Sequence, residues 1–398
     1  MTVGIIYTPQ FNFMYNTNMD WFKSSKNSEA KKIIPHLADA ARRNQAAQDL
    51  MRMGADAVPP LIEALQTQDL NLLAIYQQIL ARIPSASPEL AKALQTAHPI
   101  IRARVVEIYS INKDKNAIPL LLEALRGEFF TVRARAALAL ANIGDARIIP
   151  DLFPLLKDKD DEVRIAACVA IGKFKDPSTF DELANVALDD AKIEVRQAAV
   201  KALGDTHNTA AIPFLMEALR DSFWWFEREQ NVSVLLNAIL GIGEMVVEPL
   251  IEALADREGT VRKYSAMILG RLRDKRAIEE LGMAVYDLHH DVSKAAAEAL
   301  AQYGSPALDL LTEALIHPEA AVREHALIGL GKIQDSRVVP FLIEMMQDPE
   351  PVVRKQSILS LGNFRDPRAI PALQQAIANR ADREMGALAK ELLAKMQG

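Results

Sequence analysis

Two short phrases recur along this chain at a nearly constant period, and that regularity restricts the fold more than any other feature. The first is Ala-Ile-Pro-x-Leu-x-x-Ala-Leu, at 117–125, 211–219 and, ending in Ile, 369–377, with variants starting at Ala57, Ile148, Val247 and Val338. The second is Val-Arg-x-x-Ala-x-x-x-Leu-Gly, starting at Val132, Val163, Val195, Val261, Val322 and Val353. Aligned on the Arg position, units fall at 43, 73, 102, 133, 164, 196, 233, 262, 293, 323 and 354, with Leu73, Ser233 and Ser293 replacing the arginine. The spacing stays at 29–32 residues, apart from one interval of 37 before Ser233. Independent globular domains do not repeat every 31 residues or so; a stacked array does.

Each unit reads as two helices. The Pro of the first phrase fits a first helical turn, where its missing N–H leaves no bond unmade. Apolar residues follow at helical spacing, as in Ile212, Leu215, Met216 and Leu219. In the second phrase the apolar stripe lies at −1, +3, +6, +7 and +10 from the Arg, for example Val163, Ala167, Ala170, Ile171 and Phe174. Gly recurs at +8 (Gly172, Gly204, Gly270, Gly331, Gly362). Gly inside a helix costs about 1 kcal/mol relative to Ala, so a close neighbouring backbone is the expected reason for it. Asp-x-Arg turns such as Asp145–Arg147 and Asp335–Arg337 join the helices. The expected fold is all-α: an α-solenoid of about eleven hairpins forming one curved superhelix. No β-sheet is expected, the strand-like Val3–Thr8 being too short and isolated. Residues 1–28 form a non-repeat N-terminal extension, and Met19 is an alternative start. Residues 29–398 form the solenoid, with a candidate break at 221–232. A final capping helix is expected over 382–396.

Composition narrows the function. The chain has 46 Lys+Arg against 52 Asp+Glu, a net charge of −6, which argues against nucleic acid as a partner. One Cys in 398 residues excludes a disulfide framework and a Cys-based metal or iron–sulfur site. The start lacks a signal-peptide pattern. The most apolar run, from Val232 to Gly243, falls short of the ~18 residues of a membrane span. No membrane span and a cytoplasmic location are the expectation.

These phrases resemble the HEAT-like repeats of the phycobilisome-lyase type, a cyanobacterial-like pattern, over roughly residues 40–380. The Val-Arg-x-x-Ala helix, the Asp turn and the Ala-Ile-Pro helix carry the likeness. The resemblance implies that the second helix of each pair lines a concave face. It also implies two roles: bilin attachment, or partnership with assembly machinery such as A-type iron–sulfur carriers.

The candidate binding residues on that face are those at +2, where the chemistry varies most: Arg104, Arg135, Tyr264, His325 and Gln356. Arg133 and its repeats are open to two readings, an anion-binding ladder or internal pairs to turn acids such as Asp145, Asp176 or Asp335. The insertion in the long interval contains Phe223, Trp224, Trp225 and Phe226, either an exposed site for a partner or planar ligand, or a plug at a register break. His289, His290, His317 and His325 lie near one another in sequence. Iron-binding HEAT-like hydroxylases use His-Glu pairs, which this chain lacks, so no metal site is expected. Cys168, at the apolar +4 position, is expected to be buried. No catalytic constellation appears.

Two functions follow. One is a non-catalytic scaffold holding another protein in the concave groove, without a cofactor. The alternative is an E/F-type phycobilin lyase or bilin chaperone, an enzyme holding a bilin and delivering it to a phycobiliprotein Cys. Its propionates would need arginines and its tetrapyrrole an aromatic floor. Arg104 and Tyr264 are five repeats apart, ~50 Å at ~10 Å per repeat, so one bilin cannot use both.

Overall fold

The computed structural model describes residues 25–220, 229–379 and 381–397. All regular elements among them are helical. The chain divides into two compact units, Met1–Ala170 and Ile171–Gly398. The expected Phe223–Phe226 insertion and the strand-like Val3–Thr8 lie outside the described residues.

In the first unit the helix Ser25–Ile33 already packs on Arg43–Met53 and Val58–Ala64, so repeat-like packing starts within the stretch expected to be an extension. Second helices Leu70–Arg82, Pro99–Asn112 and Phe130–Ile143 then lie side by side. In the second unit the same arrangement runs through Ile193–Gly204, Glu229–Ile242, Gly259–Leu272, His290–Ala301, Ala320–Lys332 and Pro351–Leu361. It ends on the capping helix Arg383–Gln397, which buries Met385, Ala389 and Leu392 and exposes Arg383, Glu384, Lys390, Glu391 and Lys395.

The repeat chemistry accounts for these elements. First helices such as Ile118–Ala124 and Ile212–Arg220 begin with Pro in the first turn. The stripe Ile212, Leu215, Met216, Leu219 is buried, as is Val163, Ala167, Ala170. Each fully buried Leu or Ile contributes about 1.5–3 kcal/mol relative to exposure. Second helices stop on a left-handed residue at +11: Lys113, Gly144, Lys175, His207, Arg273, Gly304, Arg365. An Asp or Asn at +12 then caps a short 3-10 turn, its side chain accepting from the N–H two residues on, as at Asp114, Asp145, Asp176, Asn208, Asp274, Asp335 and Asp366.

Glycine at +8 answers to close helix approach. A Cβ on Gly172 would lie 2.6 Å from the Ala202 Cβ, on Gly204 2.6 Å from the Ala238 Cα, and on Gly270 2.7 Å from the Ala299 Cα. Where +8 is Ala301, the facing helix supplies the glycine instead: a Cβ on Gly329 would meet the Ala297 carbonyl oxygen at 2.7 Å. Gly362 is looser, its nearest contact outside its own turn being Leu392 Cδ1 at 3.5 Å.

The stretch Val232–Ala253 is long and apolar enough to cross a bilayer by length and composition. It is not one helix. Gly243, at φ +79, breaks it into Glu229–Ile242 and Val247–Ala253 with a 3-10 turn carrying Glu244 between them. Leu235, Ile239, Val247 and Leu250 are buried in repeat packing.

Candidate functional site

The repeating arginines form internal rungs. Arg133 grips Asp158 through Nε and Nη2, both at 2.8 Å, and its Nη1 donates to the carbonyls of Gly127 and Glu128. Arg323 repeats this with Asp348 and with the His317 and Pro318 carbonyls. Arg262 pairs with Asp287 and Arg354 with Asp382. Each arginine therefore closes its own inter-helix turn and reaches the turn of the next repeat. The Arg323–Asp348 side chains are 9% and 4% exposed, a buried pair that costs stability when one member is removed. Burial pushes the Asp348 carboxyl up, but the Arg323 fork and the Glu350 N–H hold its pKa below the usual carboxylate value.

The internal-pair reading of the arginines is thus the observed one, with different acids. Asp145 and Asp335 hold Arg147 and Arg337 two residues on, and Asp176 caps Ser178. Their side chains cap their own turns, and Asp335 also accepts from the Ser305 hydroxyl at 2.9 Å. The rung acids lie instead in the turn between first and second helix, six residues before the next Arg position.

Irregular rungs are repaired from the following repeat. Leu73 cannot donate to its turn, and the Arg104 Nη1 donates to the carbonyls of Leu65 and Thr67 in its place. Ser293 also replaces an arginine; its hydroxyl donates to Val285 O at 2.6 Å and lies 2.8 Å from His325 Nδ1. His325 is 7% exposed, with the His290 ring edge-on at 6.0 Å. Burial first, then the His290 and Lys294 charges, hold the His325 pKa below the usual imidazole value, against the opposing pull of Asp291 and Glu298. At the long interval Ser233 lacks the arginine, and Arg220 of the preceding first helix pairs with Asp256 at 3.0 Å.

The other +2 residues scatter. Arg135 pairs with Glu107, which also accepts from Gln77 Nε2 at 2.5 Å. Tyr264 carries the Lys263 ammonium 5.6 Å from its ring centre. Gln356 Nε2 donates to Ser360 Oγ, one turn away. No single site gathers Arg104, Arg135, Tyr264, His325 and Gln356. Phe223, Trp224, Trp225 and Phe226 lie outside the described residues. Cys168 is fully buried, and among the described residues no cluster of His, Cys, Asp or Glu has the spacing to hold a metal.

The outward face of the second helices is formed by other positions. At about 100° per residue, +2 and +4 flank the apolar stripe and meet neighbouring second helices: Leu235, Ala295 and His325 at +2 and Val200, Ala266 and Leu327 at +4 are all buried. Positions +1, +5 and +9 lie opposite the stripe. They read Lys263, Met267, Arg271; Lys294, Glu298, Gln302; Glu324, Ile328, Lys332; and Lys355, Leu359, Asn363, each partly or fully exposed. Lys332 bridges to Glu298 of the preceding repeat at 2.8 Å. The signal was available in the spacing, as the positions farthest from the stripe, rather than in chemical variability.

Models of HEAT repeats match residues 118–193, 179–236, 247–320 and 308–394, together well over half of the chain. The chain is a HEAT-repeat protein. A PBS lyase HEAT-like repeat also matches at 43–67. No curated protein matches this HEAT-repeat chain in sequence. Among solved structures, Kap121p bound to Pho4p has a TM-score of 0.55 at 13% identity, covering 94% of this chain and 50% of that one. Kap121p bound to Nup53p has a TM-score of 0.54 at 14% identity, with the same coverage. The HEAT-repeat chain thus spans about half the length of these structures, and at such identity the likeness shows the fold alone.

Proposed function

We propose that this HEAT-repeat protein is a non-catalytic scaffold that binds another protein along its second helices, without a resident cofactor. The observation that carries this reading is the +1/+5/+9 row of four successive repeats of the second unit, from Gly259–Leu272 to Pro351–Leu361, where charged, polar and apolar side chains share one exposed face. Such a row offers an extended contact with no reacting centre, which suits recognition of a protein surface. The test is affinity capture from native extract with the wild type and with a Lys263→Glu/Lys294→Glu/Lys355→Glu variant of unchanged circular dichroism. A partner held by the wild type and lost by the variant supports the scaffold. Equal capture by both removes the row from the account.

The likeness of residues 43–67 to a PBS lyase repeat supports two finer readings. In the first, the partner is an assembly factor of the A-type iron–sulfur carrier kind, which must bring its own cluster ligands because Cys168 is buried. In the second, the chain is a phycobilin lyase. Bilin propionates would then compete with the internal bonds of Arg104 and Arg135. Co-expression with phycobiliprotein subunits and a bilin source separates the two. Covalent colour that depends on this chain selects the lyase, and colourless subunits together with specific capture of an A-type carrier select the first reading.

A further inference from the structure

Most rung arginines face a rung acid; Arg43, opposite Thr67, does not, and Asp256 is kept where Ser233 replaces the arginine. Asp158 serves Arg133, Asp287 serves Arg262, Asp348 serves Arg323 and Asp382 serves Arg354. Where the arginine is replaced by Leu73 or Ser293, the acid position holds Thr96 or His317. Asp256, beyond Ser233, receives Arg220 instead. Arg102, like Arg43, lacks its acid. The position that should supply its carboxylate is Gly127.

Arg102 is consequently held differently from Arg133. Its Nε, which would grip an aspartate, donates to the Ala97 carbonyl at 2.7 Å, and its guanidinium carbon lies 5.8 Å from the Phe129 ring centre. Its two terminal nitrogens make no hydrogen bond, and it forms no ion pair, among the described residues. Where the aspartate would stand there is a cavity of about 160 Å³ lined by Arg102, Leu94, Leu120, Gly127, Phe129 and Val132. Pockets for drug-sized ligands run to about 300–1,000 Å³, so this one suits a single side chain. Gln95 and the exposed Glu123 and Glu128 also line it. The charge of the two glutamates disfavours a dianion such as a phosphate more than a single carboxylate, which is also the shape the closed rungs use.

We propose that the Arg102 pocket receives an Asp or Glu side chain of a protein partner, which completes the open rung from outside. The apolar part of the lining, Leu94, Leu120, Phe129 and Val132, selects an acid flanked by an apolar residue. That the ligand is a protein rests on the scaffold reading. The pocket is lined by residues of the first unit, none of them in the +1/+5/+9 row of the second, so charge reversal in the row and closure of the pocket fail independently.

The test is an NMR titration of the full chain, reading arginine Nε–Hε signals, with the Arg102 signal assigned through Arg102→Lys. The probes are acetyl-Ala-Asp-Leu-amide, its Asn counterpart and sodium acetate. The Asp peptide should shift the Arg102 signal, the Asn peptide should not, and acetate should bind at least about tenfold more weakly. Gly127→Asp supplies the rung from within; its Cβ would stand a tight 3.3 Å from the Ala124 carbonyl oxygen. In the folded variant it should weaken the Asp peptide by at least about tenfold. Arg102→Gln, which leaves the backbone untouched, should abolish the peptide-induced shifts of the Phe129 ring. Equal response to both peptides, or none, overturns the proposal. So does acetate binding as tightly as the peptide, which would make a free small carboxylate the ligand. So does a Glu128→Gln variant whose Arg102 signal moves opposite to the Asp-peptide shift, since Glu128 would then be the missing acid. Undiminished peptide binding by folded Gly127→Asp overturns it as well.

Discussion

Arg104 and His325 share no chemistry, yet each stands one repeat beyond a rung that lacks its arginine and bonds into the gap. Arg104 donates to carbonyls left by Leu73, and His325 meets the hydroxyl of Ser293. At these two positions the +2 residue answers to an irregularity in the preceding repeat. That information is spread over about 32 residues and is invisible on a single helical wheel, which is why these residues read as groove-facing from sequence. Hydrogen bonds from a charged donor contribute about 1.5–3 kcal/mol, whereas a part-exposed ion pair contributes about 0.2–1. Arg104→Ala should accordingly lower Tm more than Arg135→Ala, measured side by side by circular dichroism; the reverse order would contradict the repair role. His325 has a folded pKa below its unfolded value of about 6.5. As pH falls through that interval the unfolded chain binds the proton first, so the stabilisation present above about 6.5 is progressively lost. An NMR titration should place the His325 midpoint below about 6.5, and amide protection in Ala320–Lys332 should fall between pH 7 and 5. A midpoint above 6.5 would contradict the buried neutral imidazole.

At the scale of the helix, the period, the first-turn prolines, the capping helix and the reason for glycine at +8 were all legible in the sequence. Each depends on spacing within one repeat or on a steric need that only Gly meets. The outward row was legible too, as the positions farthest from the apolar stripe, but chemical variability pointed to +2 instead, which the neighbouring second helices cover. The glycine account makes a contrast. Gly270→Ala gains about 1 kcal/mol of helix propensity but drives a Cβ to 2.7 Å from the Ala299 Cα, and overpacking costs about 1–3 kcal/mol. Gly362, outside its own turn, faces only a Leu392 methyl at 3.5 Å. Thermal melts should show Gly270→Ala as the more destabilised of the two. Equal melting temperatures would mean that the second helices separate easily, against the packing described.

At the scale of the molecule, the rungs at Arg133, Arg262, Arg323 and Arg354 bond one repeat to the turn of the next, and the stability of such an array is a sum over nearest neighbours. The HEAT-repeat assignment rests on the same periodicity, since the regularity that the family models match is the one that places every rung. The central claim is that the arginines are structural links between adjacent repeats. Breaking a buried pair costs about 3–5 kcal/mol when one charge is left behind, and in a nearest-neighbour array that loss stays local. Hydrogen-exchange mass spectrometry of full-length Arg323→Gln tests this most directly. Protection should fall in the turn at 345–350 and in the flanking helices Ala320–Lys332 and Pro351–Leu361, while Ile193–Gly204 exchanges as in the wild type. Unchanged exchange around Asp348, or a uniform rise through all the second helices, would contradict it.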